Sequence, residues 1–322
     1  MLFAAFLTKE RLKHMFSAWF WTIQGAVTLG ILWGVMVLGV YMTYKVLNYA
    51  DLTVDGSFTL GGAMSAVYVA SGMQPLLAVF LATIGGMIAG LVTGVLHTKF
   101  KIPDLLAGIL CQFGLYSVNL RIMGKANFAI LNQDTIFTQI EALGIPSRWA
   151  GFAVGIIFAV LLVILIYCFF GTEIGCALRA TGNNPDMVRA MGTNTKTMII
   201  IGLVIGNGLV AMSGGLIAQY QGYADIQMGV GTIVIGLAAV IIGEVLFSKR
   251  TYFHRLAGAI IGSIVYRIII SVVLRVSMNI KIGITTDDMK LITAILVVVA
   301  LVAPSIKDAI AAKRADGGEA DA

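Results

Sequence analysis

The strongest constraint on this chain is a series of apolar runs, each close to the roughly 20 residues needed to cross a bilayer's hydrocarbon core. The run from 149 to 171 contains no charged side chain. Backbone polar groups in hydrocarbon must be satisfied within their own segment, so such runs fold as helices. Only 12% of the 322 residues are charged, against about a quarter in soluble domains, too few to cover a water-facing surface. A soluble enzyme is excluded. The expected fold class is all-α, a polytopic helical membrane protein.

Hydropathy divides the chain into about nine membrane segments, at 17–47, 56–72, 75–97, 103–122, 149–171, 197–220, 230–247, 254–275 and 289–305. Residues 1–306 are expected to form one transmembrane unit. Residues 307–322, ending in ADGGEADA, read as a disordered cytoplasmic tail. The connections 121–148, 172–196 and 276–290 are longer than tight turns. Lys and Arg cluster at 97–101, 172–196, 248–255 and in the tail, which places those parts on the cytoplasmic side. Nine crossings then leave the amino terminus outside with Lys9, Arg11 and Lys13. A re-entrant 56–72 would bring those cations inside, but the plain crossing is preferred. The net charge of +6 follows from this topology and not from nucleic-acid binding. Cys111, Cys168 and Cys176 have no metal or disulfide spacing, and the first two are expected to be buried thiols. No cleavable signal peptide is expected, since the first apolar stretch is short and runs into Lys9 without a small-residue site.

The chain also repeats itself. Ala50-Asp51-Leu52 recurs as Ala224-Asp225-Ile226, with Gly34 standing 17 residues before Asp51 and Gly208 17 before Asp225. Gly61 and Gly236 follow at ten and eleven residues. The copies, about 17–122 and 197–305, begin at the first and sixth segments. Successive crossings alternate in direction, so an odd offset makes the halves inverted. Inverted repeats with interrupted helices are a transporter architecture.

One connection carries a helix signal too short to span. In 182–192, Asn184 suits an N-cap and Pro185 the first helical position. Asp186 and Arg189 sit at the dipole ends that favour them, and Gly192 suits the left-handed stop. Met187, Ala190 and Met191 fall at i, i+3 and i+4 on one apolar stripe. The helix either docks in a partner's groove or lies flat at the membrane interface.

Polar groups inside apolar segments are candidates for a solute pathway, because they are costly to bury without a partner. Asp51, Asp55 and Ser57 stand at the first break, with Gln219, Gln221 and Asp225 at its counterpart. These residues either line a pathway or cap broken helices. Arg267 suits two roles, meeting a substrate carboxylate or pairing with Glu244 or Asp225, and pairing is preferred. Asn119, Asn207 and Lys45 are read as helix-end groups that snorkel or bond to backbone. Gly85-Gly86 and Gly214-Gly215 suit close helix packing.

At this point the chain resembles a family. Asp51-Leu-Thr-Val-Asp-Gly-Ser57 after a long helix is similar to a D-L-x-V-x-G-S motif. Arg179-Ala-Thr-Gly-Asn-Asn184, followed by Ala190 and Gly192, is similar to an R-A-x-G-x-N loop. Both belong to permease subunits of ATP-binding-cassette importers of the ribose and branched-chain-amino-acid class, a type II importer-like fold. Leu115-Tyr-Ser-Val-Asn-Leu-Arg-Ile-Met-Gly124, Ala218-Gln-Tyr-Gln-Gly-Tyr-Ala-Asp225 and Gly231-Thr-Ile-Val-Ile-Gly236 resemble a subgroup paired with binding lipoproteins, some linked to aromatic amino acids. The short amino terminus departs from the sugar permeases of the class.

The resemblance implies a non-catalytic subunit in a bacterial plasma membrane, working as a homodimer with its pathway between the two copies. It makes 182–192 a coupling helix on a nucleotide-binding ATPase, with Asn183, Asn184, Arg189, Ala190 and Gly192 as carried-over contacts beside Pro185, Met187 and Met191. ATP and magnesium belong to that partner, and an extracytoplasmic solute-binding lipoprotein delivers the cargo. The sequence itself has no phosphate-binding G-x-x-x-x-G-K-[ST] loop, and His14, His97 and His254 lie at different segment ends, which argues against a metal site. The competing reading is an ion-coupled secondary transporter, which shares inverted repeats but needs buried titratable groups for coupling. A non-transporting scaffold leaves the short helix without a purpose.

Overall fold

The computed structural model describes residues 2–247 and 251–280, with Leu291, Ala294, Ile295, Val298 and Val302 as single positions; side chains are described from residue 17 to 276 and at those five sites. The ninth expected segment, apart from those positions, and the tail lie outside the described residues.

The elements are α1 (Leu2–Val40), a π-helical turn (Tyr41–Val46), α2 (Thr53–Ala70), α3 (Pro75–Thr98), α4 (Asp104–Met123), β1 (Asn127–Ala129), α5 (Ile136–Ala142), α6 (Ser147–Gly171), α7 (Glu173–Asn183), α8 (Pro185–Ala190), α9 (Thr195–Gln221), β2 (Tyr223–Asp225), α10 (Thr232–Phe247) and α11 (Tyr252–Ile280). Each of the first eight expected segments has its helix. Among the described residues, six helices are long and apolar enough to cross a membrane, and α2 and α10 are not among them. The expected all-α class holds except for a three-residue antiparallel ribbon, in which β1 pairs Asn127 with Asp225 of β2.

Apolar burial drives little association between helices already in lipid, so close packing of small residues has to hold the bundle. The structure shows this at every main crossing. Helix α3 lies on α9, and α1 lies on α11. A Cβ added to Gly86 would sit 2.5 Å from the Asn207 carbonyl oxygen, and one at Gly30 would sit 2.6 Å from the Ile264 Cα. Gly61 and Gly214 bring α2 and α9 backbone to backbone, and Gly243 does the same for α10 and α11. The glycine pairs therefore serve packing.

Two ends can be told apart. The first ends where the π-helical turn meets α7, the Gly182 site abutting the Val46 carbonyl. Tyr49 joins the α3–α4 turn to this end through His97, ring to ring at 5.1 Å. Lys45, Lys99, Lys101, Arg179, Arg189, Lys196 and Arg255 gather here. The opposite end carries β1, β2 and α5, tied down by Gln219, whose side chain accepts from Ile136 N–H (3.0 Å) and donates to the Pro75 carbonyl (3.0 Å). Trp19 and Trp21 meet Arg275 and Arg148 at this end. Helix α1 thus runs from the ribbon end to the α8 end.

Connection 172–196 is not a loop with one helix. It holds α7, capped by the Thr172 hydroxyl accepting from Gly175 N–H (3.2 Å), and then α8. Of the cysteines, Cys111 is buried as expected, whereas Cys168 is exposed on α6 because it follows the outward face of that helix.

Candidate functional site

The chain is broken twice, and the two breaks meet. Asp51 precedes α2, and its Oδ1 accepts from Thr53 N–H at 2.9 Å, the arrangement of a helix N-cap. Its Oδ2 accepts from Asn207 Nδ2 at 2.6 Å, while Asn207 Oδ1 accepts from the Ser57 hydroxyl at 2.7 Å. The other Asn207 proton goes to the Leu203 carbonyl (3.1 Å). Asn207 lies near the middle of the 27-residue α9 and is wholly buried. Asp51 is 2% exposed. Helix α2 therefore starts deep inside the bundle and runs out to the ribbon end.

The second break is joined to the first by Asp55, one turn further along α2. Asp55 Oδ2 accepts from Gly231 N–H (2.9 Å), and Oδ1 accepts from the Thr232 hydroxyl (2.9 Å) and Ile233 N–H (3.0 Å). One carboxylate thus caps α2 and a second, on α2 itself, caps α10. Helix α10 runs from there to the α8 end, where Glu244 pairs with Lys45 at 3.0 Å. The two helices begin in the interior and diverge toward opposite ends, and by length and composition neither is among the candidate membrane spans.

The expected pathway residues fall into three groups. Asp51, Asp55, Ser57 and Gln219 are fixed by the bonds given above, with Gln219 also donating to Ser65 Oγ (3.0 Å). Gln221 and Asp225 border a cavity of about 480 Å³ at the ribbon end, lined also by Trp33, Tyr223 and Gln227. Glu244 lies at the α8 end, and Arg267 lies against Trp33 of that cavity's lining. The expected pairing of Arg267 is corrected: Glu244 takes Lys45, and Asp225 Oδ2 accepts from Asn127 Nδ2 (3.1 Å). Arg267 instead lies 3.9 Å over the Trp33 ring, a cation–π contact that serves a desolvated guanidinium with no carboxylate partner among the described residues.

Asn207, read from sequence as a helix-end group, is the hub of the interior network. Lys45 is an ion-pair partner across 199 residues rather than a snorkelling side chain. Asn119 does bond to backbone, donating to the Gly56 carbonyl (3.2 Å), but its Oδ1 is buried without a donor among the described residues. With Gln112, Phe113, Tyr116 and Asp55 it lines a cavity of about 410 Å³ along α4. Sequence reasoning missed this wall. Its signal was present as Gln112, Tyr116 and Asn119, a polar stripe at i, i+4 and i+7 in an apolar run.

The second site is at the surface. Helix α8 has the expected caps: Asn184 Oδ1 accepts from Met187 N–H at 3.0 Å, and Pro185 opens the helix. Gly192 (φ +86°) closes it as Gly192 N–H bonds to the Arg189 carbonyl and Thr193 N–H to the Val188 carbonyl. The helix is shorter than 182–192, because Gly182 and Asn183 complete α7. Val188, unremarked in the sequence, is the buried anchor at 1% exposure. Met187 (47%) and Met191 (66%) are exposed, as is Ala190. An apolar stripe therefore faces outward from the cationic end.

Comparisons with known proteins agree with this architecture. A family model described as "Branched-chain amino acid transport system / permease component" matches residues 22–302. The tyrosine transport system permease protein of Clostridioides difficile (strain R20291) is 37% identical over 276 residues, covering 86% of this chain and 89% of the relative. The probable branched-chain amino acid transport permease protein LivH of Methanocaldococcus jannaschii is 26% identical over 204 residues, covering 60% and 64%. A chain of PsaBC from Streptococcus pneumoniae, solved in complex with Fab, superposes with a TM-score of 0.50 at 13% identity over 87% and 89% of the two chains, a likeness of fold alone. The chain belongs to the branched-chain amino acid transport system permease family and is a non-catalytic, multi-pass membrane subunit of an ATP-binding-cassette importer for a small organic solute.

Proposed function

We propose that this permease works as a homodimer, carries an amino acid, an aromatic one above all, and is driven through α8 by a separate ATPase subunit. The observation that carries the docking role is the outward apolar face of α8. Met187, Ala190 and Met191 are presented by a helix locked by two caps and one buried valine. An interfacial helix needs no such rigid mount, whereas a helix that transmits force does. The roles of Asn183, Asn184, Pro185, Arg189 and Gly192 follow from this reading: Asn184, Pro185 and Gly192 set the helix ends, and Arg189 and Asn183 border the contact.

The pathway is assigned to the α4 side. Helices facing lipid carry apolar side chains, as α6 does with Ile157, Val160, Leu161, Ile164 and Leu165 exposed. The open face of α4 also exposes Leu110, Phe113 and Val118, but Gln112, Tyr116 and Asn119 face a cavity with Asp55, which suits a water-filled space against a second copy. Gln221 and Asp225 border a separate opening at the ribbon end, which suits the entrance where a binding lipoprotein would deliver cargo. The aromatic cargo is supported by the C. difficile relative described as a tyrosine transport permease.

Two further features support the reading. The packing of α1 on α11 and of α9 on α3, with α2 and α10 each following a break, is the relation that inverted halves would give. On this reading the repeats span about 17–122 and 197–305 within residues 1–306. The ion-coupled alternative requires a buried carboxylate free to change partners, but Asp51 and Asp55 each hold fixed donors on both oxygens.

The test replaces Arg189→Glu together with Gly192→Pro. Loss of both uptake and co-purifying ATPase is expected. Uptake that persists with no ATPase bound, or that collapses on dissipating ion gradients at constant ATP, overturns the proposal.

A further inference from the structure

A second polar cavity, of about 510 Å³, opens at the α8 end, apart from the breaks and from the α4 wall. Tyr41, Tyr44, Lys45, Asn48, Arg179 and Arg255 are among its lining residues. Three elements bring them together. The π-helical turn supplies Tyr41, Tyr44 and Lys45, α7 supplies Arg179, and the first turn of α11 supplies Arg255. A π-turn shifts side chains off the ordinary helical register, and such turns recur where a helix is reshaped to build a site.

The charges do not cancel. Glu244 neutralises Lys45 at 3.0 Å. No carboxylate lies within ion-pair distance of Arg179 or Arg255 among the described residues. Arg179 is held in place: Nη2 donates to the Phe170 carbonyl (3.1 Å) and to Cys176 Sγ (3.2 Å), and the guanidinium lies 5.2 Å from the Tyr252 ring centre. Its Nε is buried with no acceptor among the described residues. A surface arginine whose only role is topological keeps its head in water. This one is stacked, anchored and left with a donor unused. Leaving a charged donor unpaired in a half-buried site is unfavourable, so the arrangement favours an anion arriving from outside the chain.

We propose that this cavity binds a phosphate group, of an anionic lipid headgroup or of a soluble phosphate, between Arg179 and Arg255. The Arg255 guanidinium can present a fork to phosphate oxygens, which accept paired N–H bonds, Arg179 adds its charge and its uncommitted Nη1 donors, and the Tyr41 and Tyr44 hydroxyls add further donors. The site lies beside α8, for Gly182 and Asn183 line it and Asn184 caps α8. An occupant would brace the mount of the docking helix, so the regulatory consequence, though not the binding, rests on the role proposed for α8.

The experiment measures the thermal stability of the purified permease–ATPase complex with added dioctanoyl phosphatidylglycerol, dioctanoyl phosphatidylcholine or inorganic phosphate. The expected result is a saturable rise in Tm with phosphatidylglycerol and none with phosphatidylcholine. Arg179→Gln and Arg255→Gln should each raise the half-saturating concentration at least fivefold, and Arg255→Lys, which keeps the charge but not the fork, should fall between the glutamine variants and the parent chain. A rise with inorganic phosphate alone also supports the site and assigns it to a soluble ligand. Equal rises with both lipids, or glutamine variants that respond like the parent chain, overturn the proposal. Should Arg189→Glu release the ATPase yet leave the phosphate response intact, the cavity stands on its own. A phosphate response intact in a complex whose α8 proves unnecessary for docking would separate the two ideas in the other direction.

Discussion

Replacing Asn207 by alanine tests the interior latch directly. The substitution removes the donor to Asp51 (2.6 Å) and the acceptor of the Ser57 hydroxyl (2.7 Å), both interhelical. Interhelical hydrogen bonds in membranes average about 0.6 kcal/mol and reach about 1.7, so two amount to roughly 1–3 kcal/mol. The Asp51 carboxylate is then left buried with the Thr53 amide as its remaining donor, which adds about 1–3 kcal/mol. A loss near 3 kcal/mol is expected, about a hundredfold or more in the unfolding equilibrium constant. Unfolding by sodium dodecyl sulfate in mixed micelles reads this loss. A cycle with Asp51→Ala isolates the shared term, expected at 1 kcal/mol or more, because neighbours in one network are not additive. A loss under about 0.5 kcal/mol with additive single changes would refute the reasoning, since the bonds would then be replaceable by water or relaxation.

Three other substitutions give separate outcomes. Asp55→Ala strips the start of α10 of three hydrogen bonds and should destabilise by about 2 kcal/mol or more, read in the same micelle titration; Asp55→Asn should recover part of it. Gly86→Val should block the seating of α3 on α9, where an added Cβ already meets the Asn207 carbonyl at 2.5 Å, and abolish uptake with a fall in folded yield, whereas Gly171→Ala, with open space around it, should not. Glu244→Gln should cost under about 1 kcal/mol because its partner Lys45 is 45% exposed, and the loss should shrink further at high salt.

Much of this architecture is legible in the sequence because the bilayer leaves so few choices. Eight apolar runs became eight helices, and the α8 caps were readable since Asn184, Pro185 and Gly192 each suit one backbone position. Tertiary partners were less legible. Arg267 had two plausible carboxylates in sequence, yet an aromatic face took it, and cation–π contacts leave no mark in spacing. Asn207 looked like a helix-end residue because hydropathy says nothing about which middle residue faces another helix. The α7 helix was hidden by its low hydrophobicity: with residues such as Glu173 and Arg179 in an 11-residue stretch, it resembles loop composition. The β1–β2 ribbon was beyond sequence reasoning, as three residues carry no detectable period.

The central claim is that α8 seats in an ATPase subunit, and site-specific photo-crosslinking from Met191 in native membranes tests it most directly. A photoreactive residue there should give one dominant adduct with the ATPase chain, while the same probe at Ile174 on α7, which is also exposed, should not. An adduct with lipid alone from position 191, in membranes that hold the assembled importer, would contradict the account.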